Sequence, residues 1–295
     1  MISVCSSGKN KVKHGGKSMK YIDSHSHYTD RKFSRDRHEL LTQLHNEEVE
    51  YIVDCVGEKN RSLGLQLANK YDFVYLCISD DHYYKTDLNI EENKTLIEKL
   101  LEETVVKLKK LCAENPKIVA YGECWMDFRR TEPSPAEVQK QSFWFEKDLE
   151  VAKKVGLPVV IHSGSADKEV LNVLKNYDMP NYGNGKGMMH CYLGPPKMAF
   201  DFIEMGYLIS VTGLVTHRSP RGKNLVETVK IVPLEHMVIE TDCPYLTPEP
   251  FRDRRNDSGF LRLTVEEIAK IKGVSPQEVA EKTSANAKAL FGISG

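Results

Sequence analysis

The sequence predicts a single-domain α/β protein with the fold of a (β/α)8 TIM barrel. Eight short runs of apolar or β-branched residues lie between residues 21 and 241, and helix-like stretches separate them. This alternation is typical of parallel strands joined by crossover helices, and eight such units in roughly 270 residues match the barrel in size. A doubly wound open sheet is the structural alternative, but no dinucleotide-binding fingerprint follows the first run.

The predicted strands are Tyr21 to Ser24, Tyr51 to Val56, Phe73 to Ser79, Ile118 to Cys124, Pro158 to Ser163, Gly187 to Cys191, Tyr207 to Thr212 and Met237 to Thr241. Predicted helices include residues 34–49, 136–156 and 195–206, the last of which opens with prolines and closes with glycine. The charged stretch from Asn89 to Asn115 predicts one long helix with a solvated face. Two further helices, Thr264 to Lys272 and Ser275 to Leu290, close the chain.

Composition excludes several classes of protein. A formal net charge of -1 argues against a protein that coats nucleic acid non-specifically, because such binding needs a broad basic surface. Seven cysteines without a CxxC pair indicate reduced thiols and a cytoplasmic location, with the nucleus as the alternative. No apolar run is long enough to cross a membrane. Residues 1–19 carry four lysines and no acidic residue, which predicts a disordered basic leader before a folded domain of residues 20–295.

The ends of the predicted strands carry residues of metal-ligand type. They are His25 and His27 after the first strand, Glu123 after the fourth, His162 after the fifth, His190 after the sixth and Asp242 after the eighth. A barrel brings the carboxyl ends of its strands to one mouth, where four imidazoles and two carboxylates would be costly to desolvate without a cation. Mixed nitrogen and oxygen ligands suit zinc or manganese, and a pair of ions bridged by a carboxylate also accepts magnesium.

The motif His-Ser-His taken alone is more often an exposed turn than a metal site. Residues two apart in a strand point to the same side, so His25 and His27 are able to share one ion while Ser26 faces away. The coincidence of ligand types at five strand ends therefore favours a metal site over the turn. Asp127, four residues after Glu123, is expected to support this site by bonding a ligand or a loop amide.

Three loops predicted at the same mouth are basic. Arg129 and Arg130 follow strand four, Arg218, Arg221 and Lys223 follow strand seven, and Arg252, Arg254 and Arg255 follow strand eight. Arginine clusters beside a metal favour phosphate as the bound group. Ordinary solvation of loops is the alternative, since Asp253 and Asp257 offset the last cluster.

The segments "IDSHSH", "GECWMDF", "PVVIHS", "MMHCYLG", "ETDCPYLTP" and "TSANAKALF" resemble the TatD family of metal-dependent nucleases, within the wider amidohydrolase-like barrels. The resemblance runs from about Tyr21 to Phe291. It implies two divalent metal ions, the first surrounded by His25, His27, Glu123 and Asp242 and the second held by Glu123, His162 and His190. Asp242 would orient or deprotonate the attacking water, and Glu123 would bridge the ions. Alanine in place of His25 or His27 is then expected to empty one metal site and spare the other.

The resemblance also implies a substrate, DNA cleaved from single-stranded or frayed 3′ ends, with RNA as an alternative. Departures from the family pattern fall on the substrate rim. Gly164 and Leu193 replace an arginine and a serine, "NDS" at Asn256 to Ser258 replaces Asn-Glu-Pro, and His82 is retained from a pattern of two histidines. The predicted substrate-binding residues are His82, Arg129, Arg218, Arg221, Arg252 and Arg254.

Two other functions remain open. One is hydrolysis of a small amide, lactone or phosphotriester, although related enzymes of that kind often have a lysine where this chain has Glu123. The other is an inactive barrel retained as a binding protein, which the six ligand types argue against because unpaired buried charges are costly. The oligomeric state is not predicted.

Overall fold

The computed structural model describes residues 19–80, 90–130 and 132–294. Eight strands lie side by side in chain order, and each neighbouring pair is parallel. The strands are β1 (Tyr21–Ser26), β2 (Val49–Val56), β3 (Val74–Ile78), β4 (Ile118–Asp127), β5 (Val159–Gly164), β6 (Gly187–His190), β7 (Tyr207–Val211) and β8 (Met237–Ile239). The predicted (β/α)8 barrel is confirmed. Residues 1–18 of the predicted leader lie outside the described residues.

The barrel closes where the chain beyond β8 returns to β1. The Asp242 N–H donates to the His25 carbonyl at 3.0 Å, and the His27 N–H donates to the Cys243 carbonyl at 2.9 Å. These bonds join the end of the first strand to the segment after the last strand. The two ends that carry predicted ligands are therefore fixed against each other.

A buried carboxylate strengthens this seam. Asp23 is fully buried and accepts hydrogen bonds from the Thr241 N–H at 2.9 Å, the Thr241 hydroxyl at 2.6 Å and the Ser258 hydroxyl at 2.7 Å. Burial raises the pKa of Asp23 to about 7, although these hydrogen bonds oppose the increase. The side chain thus links β1, the segment after β8 and the loop before the next helix.

The helices surround the barrel. They are α1 (Arg37–Glu47), α2 (Arg61–Lys70), α3 (Lys94–Glu114), α4 (Pro135–Val155), α5 (Asp167–Asn176), α6 (Ala199–Glu204), α7 (Pro220–Ile231), α8 (Leu261–Lys272) and α9 (Pro276–Phe291). Three of them begin with Ser-Pro, and the hydroxyls of Ser134, Ser219 and Ser275 each accept the N–H three residues later. Proline fits the next position because its missing N–H would have no partner there.

Two predicted helices differ from their observed bounds by more than three residues at the N-terminal end. The helix predicted to start at Asn89 begins at Lys94, while the predicted helix 195–206 contains α6 preceded by a 3₁₀ turn at Pro196–Met198. The consecutive prolines explain the second difference, since proline cannot donate the intrahelical hydrogen bond. No helix in the described part of the chain is both long and apolar enough to span a membrane.

The lower half of the barrel interior is apolar, and α9 closes it. Interior side chains from the first residues of several strands pack against Ala287, Leu290 and Phe291 of α9. The Asn286 side chain donates to the Leu234 and Met237 carbonyls at 2.8 and 2.7 Å, which anchors the helix beneath β8. The predicted ligands on β1, β4, β5 and β6 lie towards the opposite, C-terminal ends of their strands.

An irregularity in β1 turns two histidines into that mouth. Between Asp23 and Ser26 the strand advances three residues while β2 advances two. Ile22 faces the barrel interior, and strict alternation would turn His25 and His27 outward. The extra residue reverses the alternation, so both imidazoles face the interior.

A second irregularity in β4 does the same for Glu123. Gly122 pairs with Val160 of β5 and Cys124 pairs with the next β5 residue, which leaves Glu123 as the extra residue. Gly122 has φ of 147°, and a Cβ there would lie 2.5 Å from the Val160 carbonyl oxygen. Glycine is required at this position because both the backbone conformation and the space exclude a side chain.

Replacing Leu290 with alanine should lower the free energy of unfolding by about 3 kcal/mol, because a cavity would open where α9 closes the barrel. Leu96→Ala is the matched control, since Leu96 is 44% exposed, and its effect should stay within about 0.5 kcal/mol. Urea titration followed by circular dichroism measures both. Equal losses in the two variants would contradict the role assigned to α9.

Candidate metal centre

Four predicted ligands meet at the seam between β1, β4 and β8. Nε2 of His25 lies 3.1 Å from Nε2 of His27 and 3.4 Å from Oε1 of Glu123. Oδ1 of Asp242 lies 3.2 Å from Nε2 of His27 and 3.7 Å from Nε2 of His25. Two imidazole nitrogens and two carboxylate oxygens therefore converge on one point.

The ligand atoms form two groups that share one histidine. The groups are His25, His27 and Asp242, and His25, Glu123 and His190, with the ligand atoms of each group within 4.8 Å of one another. The His25 and His190 rings stack with centroids 3.7 Å apart, which brings the second group next to the first. Nitrogen and carboxylate oxygen donors at this spacing fit a divalent transition metal or magnesium.

Three histidines are oriented through their Nδ1 atoms. Nδ1 of His27 lies 3.2 Å from the Cys55 carbonyl oxygen, and Nδ1 of His25 lies 3.1 Å from the Cys55 sulfur. Nδ1 of His190 lies 2.9 Å from Oε1 of Glu240. Because each Nδ1 faces a partner in the surrounding protein, each Nε2 is left for a metal, and such partners fix both the tautomer and the ring orientation.

Sequence reasoning missed Glu240. Its side chain is fully buried, and Oε1 also accepts the Cys191 N–H at 2.6 Å. Burial would lower the pKa of His190, but the charge and hydrogen bond of Glu240 raise this pKa to about 9. A glutamate inside the apolar run "MVIETD" was the available signal, since a buried carboxylate needs a partner.

His162 lies beside the two groups. His162 pairs with His190 in the register of β5 and β6. Neither of the two ligand groups found among the described residues includes His162. Its Nδ1 lies 3.5 Å from Oε2 of Glu123. Its Nε2 lies 3.2 Å from Nη2 of Arg129 and 3.4 Å from Oδ2 of Asp127.

The pair formed by Asp127 and Arg129 lies over Gly164. Asp127 accepts both the backbone N–H of Arg129, at 2.9 Å, and its Nε, at 3.0 Å, which agrees with the expected bond to a loop amide. Burial alone would raise the pKa of Asp127, but the hydrogen bonds and the charge of Arg129 lower this pKa to about 2. A Cβ on Gly164 would lie 2.4 Å from Cγ of Asp127, so the absence of a side chain there makes room for the pair.

The charge states within the centre are complementary. Burial alone would raise the pKa of Glu123, but hydrogen bonding and charge from His25 and neighbouring imidazoles hold it well below its usual range. The pKa of Asp242 is lowered in the same way, mainly by His27. Burial lowers the pKa of His27, but Asp242 and Glu123 outweigh it and raise this pKa to about 10. The carboxylates are therefore ionised at neutral pH.

The segment that carries Asp242 has an unusual backbone and a buried anchor. Asp242 has φ of 54°, a left-handed conformation that aspartate adopts more readily than most residues. Asn256 is fully buried, and its amide donates to the Thr241 carbonyl at 3.0 Å and the Tyr245 carbonyl at 2.6 Å. The segment "NDS" departs from the family pattern only after Asn256, and Asn256 itself bonds the backbone on both sides of Asp242.

The mouth opens into two lobes on either side of the ligand groups. The β5-side lobe, of about 240 Å³, is lined by residues that include Arg129, His162, Ser163, His190, Arg221 and Asp242. The β1-side lobe, of about 380 Å³, is lined by residues that include His27, Thr29, Asp30, Glu123, Trp125 and Tyr245.

The predicted substrate-binding residues lie in different places, and two of them line a lobe of the mouth. Arg129 and Arg221 line the β5-side lobe. Arg218 lines a separate depression beside α7. Arg252 lies 3.6 Å from Glu249, and the Arg254 guanidinium lies 4.9 Å from the centroid of the Phe251 ring. His82 lies outside the described residues.

Comparison with known proteins identifies the family. A family model described as TatD related DNase matches residues 22–292. The chain belongs to this family. It is 32% identical over 274 residues to the uncharacterized metal-dependent hydrolase YabD of Bacillus subtilis, an alignment covering 92% of this chain and 99% of that protein. The resemblance stated from sequence is confirmed, and this TatD-family protein is a metal-dependent hydrolase.

Other relatives carry a more specific name. The 3'-5' ssDNA/RNA exonuclease TatD of Erwinia amylovora is 33% identical over 195 residues, which is 65% of this chain and 72% of that protein. Among solved structures, YJJV, a TatD homologue from Escherichia coli, superposes with a TM-score of 0.77 at 23% identity and covers 93% of this chain and 98% of its own. The structural match supports the fold.

Glu240→Gln should weaken metal binding roughly 10- to 100-fold, because the His190 ring would lose the charge that orients it and raises its basicity. Glutamine keeps the size of the side chain and an oxygen for the Cys191 N–H. Titration calorimetry with Mn²⁺ measures the affinity, and Glu235→Gln, at an exposed residue paired with Lys282, is the matched control. Equal affinities in both variants would remove Glu240 from this role.

Proposed function

We propose that this TatD-family hydrolase cleaves phosphodiester bonds of nucleic acid, removing nucleotides from the 3′ end of single-stranded DNA, with RNA as the alternative substrate. The observation that carries the proposal is the opening of both ligand groups into a lobe that also holds Arg129 and Arg221. Guanidinium groups beside metal ligands suit the oxygens of a phosphate. The exonuclease names of relatives such as the Erwinia protein support the 3′ polarity.

The metal ligands are assigned as follows. His25, His27 and Asp242 would hold one divalent ion, and Glu123 and His190 would hold a second, with His162 beside Glu123. His25 contributes to both groups, which the sequence did not predict. Two magnesium, manganese or zinc ions in these positions would polarise the phosphate, supply a hydroxide-like water and steady the leaving oxygen.

Asp242 is the proposed general base. Its carboxylate is ionised at neutral pH and lies at the edge of the β5-side lobe, where a water beside the phosphorus would be within reach. Glu123 fixes the distance between the two groups and carries no proton, because its pKa is held low. Nε2 of His27 lies 3.2 Å from Oδ1 of Asp242, so both atoms would reach the same ion.

Arg129 is oriented before any substrate binds. Asp127 holds its guanidinium, and the resulting pair stands over Gly164 at the rim of the β5-side lobe. A preoriented cation loses little conformational freedom on binding a phosphate. Arg129 and Arg221 are therefore the proposed phosphate contacts, whereas Arg218, Arg252 and Arg254 line neither lobe and would act on a longer strand.

His27→Ala should reduce the bound divalent metal by one ion per chain, whereas His25→Ala should reduce occupancy of both sites, because the His25 ring supplies a ligand to the first site and also stacks on the His190 ring of the second at 3.7 Å. Ser26→Ala is the control, since its hydroxyl bonds to Asp54 at 3.1 Å and to the Val53 carbonyl. Metal analysis of protein purified without chelators, with circular dichroism to check folding, measures the outcome. Identical metal content in the two histidine variants would contradict the shared role of His25.

Asp242→Asn should lower kcat on 5′-labelled single-stranded DNA by at least roughly 10²-fold, because amide nitrogen and oxygen cannot accept the proton of the attacking water. Asp253→Asn, at an exposed residue of the neighbouring loop, is the matched control and should keep wild-type kcat. Glu123→Ala should lose both activity and metal.

The same proteins are assayed on RNA and on a panel of small esters, lactones, amides and phosphotriesters. Undiminished DNA cleavage by folded Asp242→Asn would end its assignment as the base. Turnover of a small substrate without any nuclease activity would replace the proposed function, and binding without turnover of any substrate would favour an inactive barrel.

A further inference from the structure

We propose that the β1-side lobe receives the terminal nucleoside of the strand and selects a free 3′-hydroxyl over a 3′-phosphate, with Asp30 as the selecting residue. This inference rests on the proposed function and names the end group on which the enzyme acts. It also accounts for cleavage at an end rather than within a strand.

The two lobes differ in their cationic side chains. Arg129 and Arg221 line the β5-side lobe together with Asp167 and Asp242, and the two guanidinium groups suit the phosphates of the strand that continues in the 5′ direction. Among the described residues that line the β1-side lobe there is no arginine or lysine, but there are two carboxylates, Asp30 and Glu123. With the scissile phosphate at the ligand groups, the nucleoside on its 3′ side would occupy the β1-side lobe.

Asp30 is held firmly beside the ligand groups. Its N–H donates to the His27 carbonyl at 2.9 Å, and Oδ1 accepts the Lys32 N–H at 2.7 Å. Oδ2 accepts the Tyr245 hydroxyl at 3.3 Å. The carboxylate is thus fixed by the turn that contains Lys32 and by the segment after β8, and Asp30 lines the same lobe as His27 and Glu123.

Tyr245 supplies an aromatic wall for a base. It is 46% exposed although it lines the lobe, and it is among the few large hydrophobic side chains that are exposed in the described part of the chain. The Lys32 ammonium lies 4.2 Å from the ring centroid and covers one face. Stacking of a base on an aromatic ring is tolerant of sequence and contributes roughly 1–3 kcal/mol.

The size of the lobe suits a single unit. A volume of about 380 Å³ is near the lower end of small-ligand pockets, which span roughly 300–1,000 Å³. One nucleoside fills such a space, whereas a continuing strand would have to place its next phosphate against Asp30.

The chemistry of the end group then decides binding. A 3′-hydroxyl donates a hydrogen bond to the Asp30 carboxylate, and hydrogen bonds to charged groups are worth more than neutral ones. A 3′-phosphate, or the phosphate of an internal nucleotide, offers only acceptor oxygens and negative charge to the same carboxylate. Asp30 therefore favours a hydroxyl end and disfavours both alternatives.

The test compares two 5′-labelled single-stranded oligonucleotides that differ only in a 3′-hydroxyl or a 3′-phosphate, using the metal-loaded full-length protein. The wild type should have a kcat/KM at least roughly tenfold higher on the hydroxyl end, the scale of one charged hydrogen bond. Asp30→Asn should lower kcat/KM on the hydroxyl end and raise it on the phosphate end, since the amide keeps an acceptor for the Lys32 N–H but loses the charge.

Two controls separate selection from general damage. Arg221→Ala should lower kcat/KM on both oligonucleotides by the same factor and leave their ratio unchanged. A binding measurement complements the rates, because thymidine 5′-monophosphate should bind the metal-loaded wild type more tightly than thymidine 3′,5′-bisphosphate, and Asp30→Asn should reduce this difference.

Equal rates on the two ends in the wild type, or a ratio that Asp30→Asn does not change, would overturn the inference while leaving the proposed nuclease intact. Cleavage of neither oligonucleotide, together with turnover of a small ester or amide, would overturn the proposed function itself. Preferential cleavage within a circular single strand would contradict the placement of a terminal nucleoside in the β1-side lobe.

Discussion

Pairing of buried ionisable groups at the barrel mouth is the constraint on which the rest of the structure depends. His25 and Glu240 are fully buried, and Glu123 and Asp242 are mostly shielded from solvent. Such groups are tolerated only when each charge has a partner. Three Nδ1 atoms therefore face protein acceptors or a thiol, and the Nε2 atoms and carboxylates are left facing one another. This is the arrangement that a divalent ion stabilises.

The constraint extends to the closure of the barrel. The ligand group of His25, His27 and Asp242 lies across the seam between β1 and the segment after β8. The hydrogen bonds across that seam therefore determine its geometry. The buried Asp23 and Asn256 side chains bond to the backbone and hydroxyls of this segment. Neither side chain is a proposed metal ligand or substrate contact, yet both fix the segment from which Asp242 acts. The same hydrogen bonds therefore stabilise the closed barrel and position the proposed general base.

The irregular strands have a functional explanation in the same terms. A regular β1 would direct its histidines away from the interior, and a regular β4 would do the same with Glu123. Extra residues in these two strands reverse the alternation just where the apolar lower barrel gives way to the polar mouth. On the face that points into the barrel, β1 and β4 therefore contribute apolar side chains to the core and, further along, ligands to the metal centre. Only the β5-side lobe is lined by arginines among the described residues, because loops of different strands line the two lobes.

The sequence by itself determined the number and order of the strands, because apolar runs alternating with helical stretches admit few other folds, and it identified the six residues whose types and strand-end positions indicate a metal centre. Only the tertiary structure decided that His25 belongs to both ligand groups, that Glu240 supports His190, and that Arg129 lines a lobe of the mouth while Arg252 and Arg254 line neither. The physical reason is that strand periodicity depends on neighbours in the sequence. Local bulges, imidazole orientation and loop paths depend on hydrogen bonds and close contacts between residues far apart in the chain.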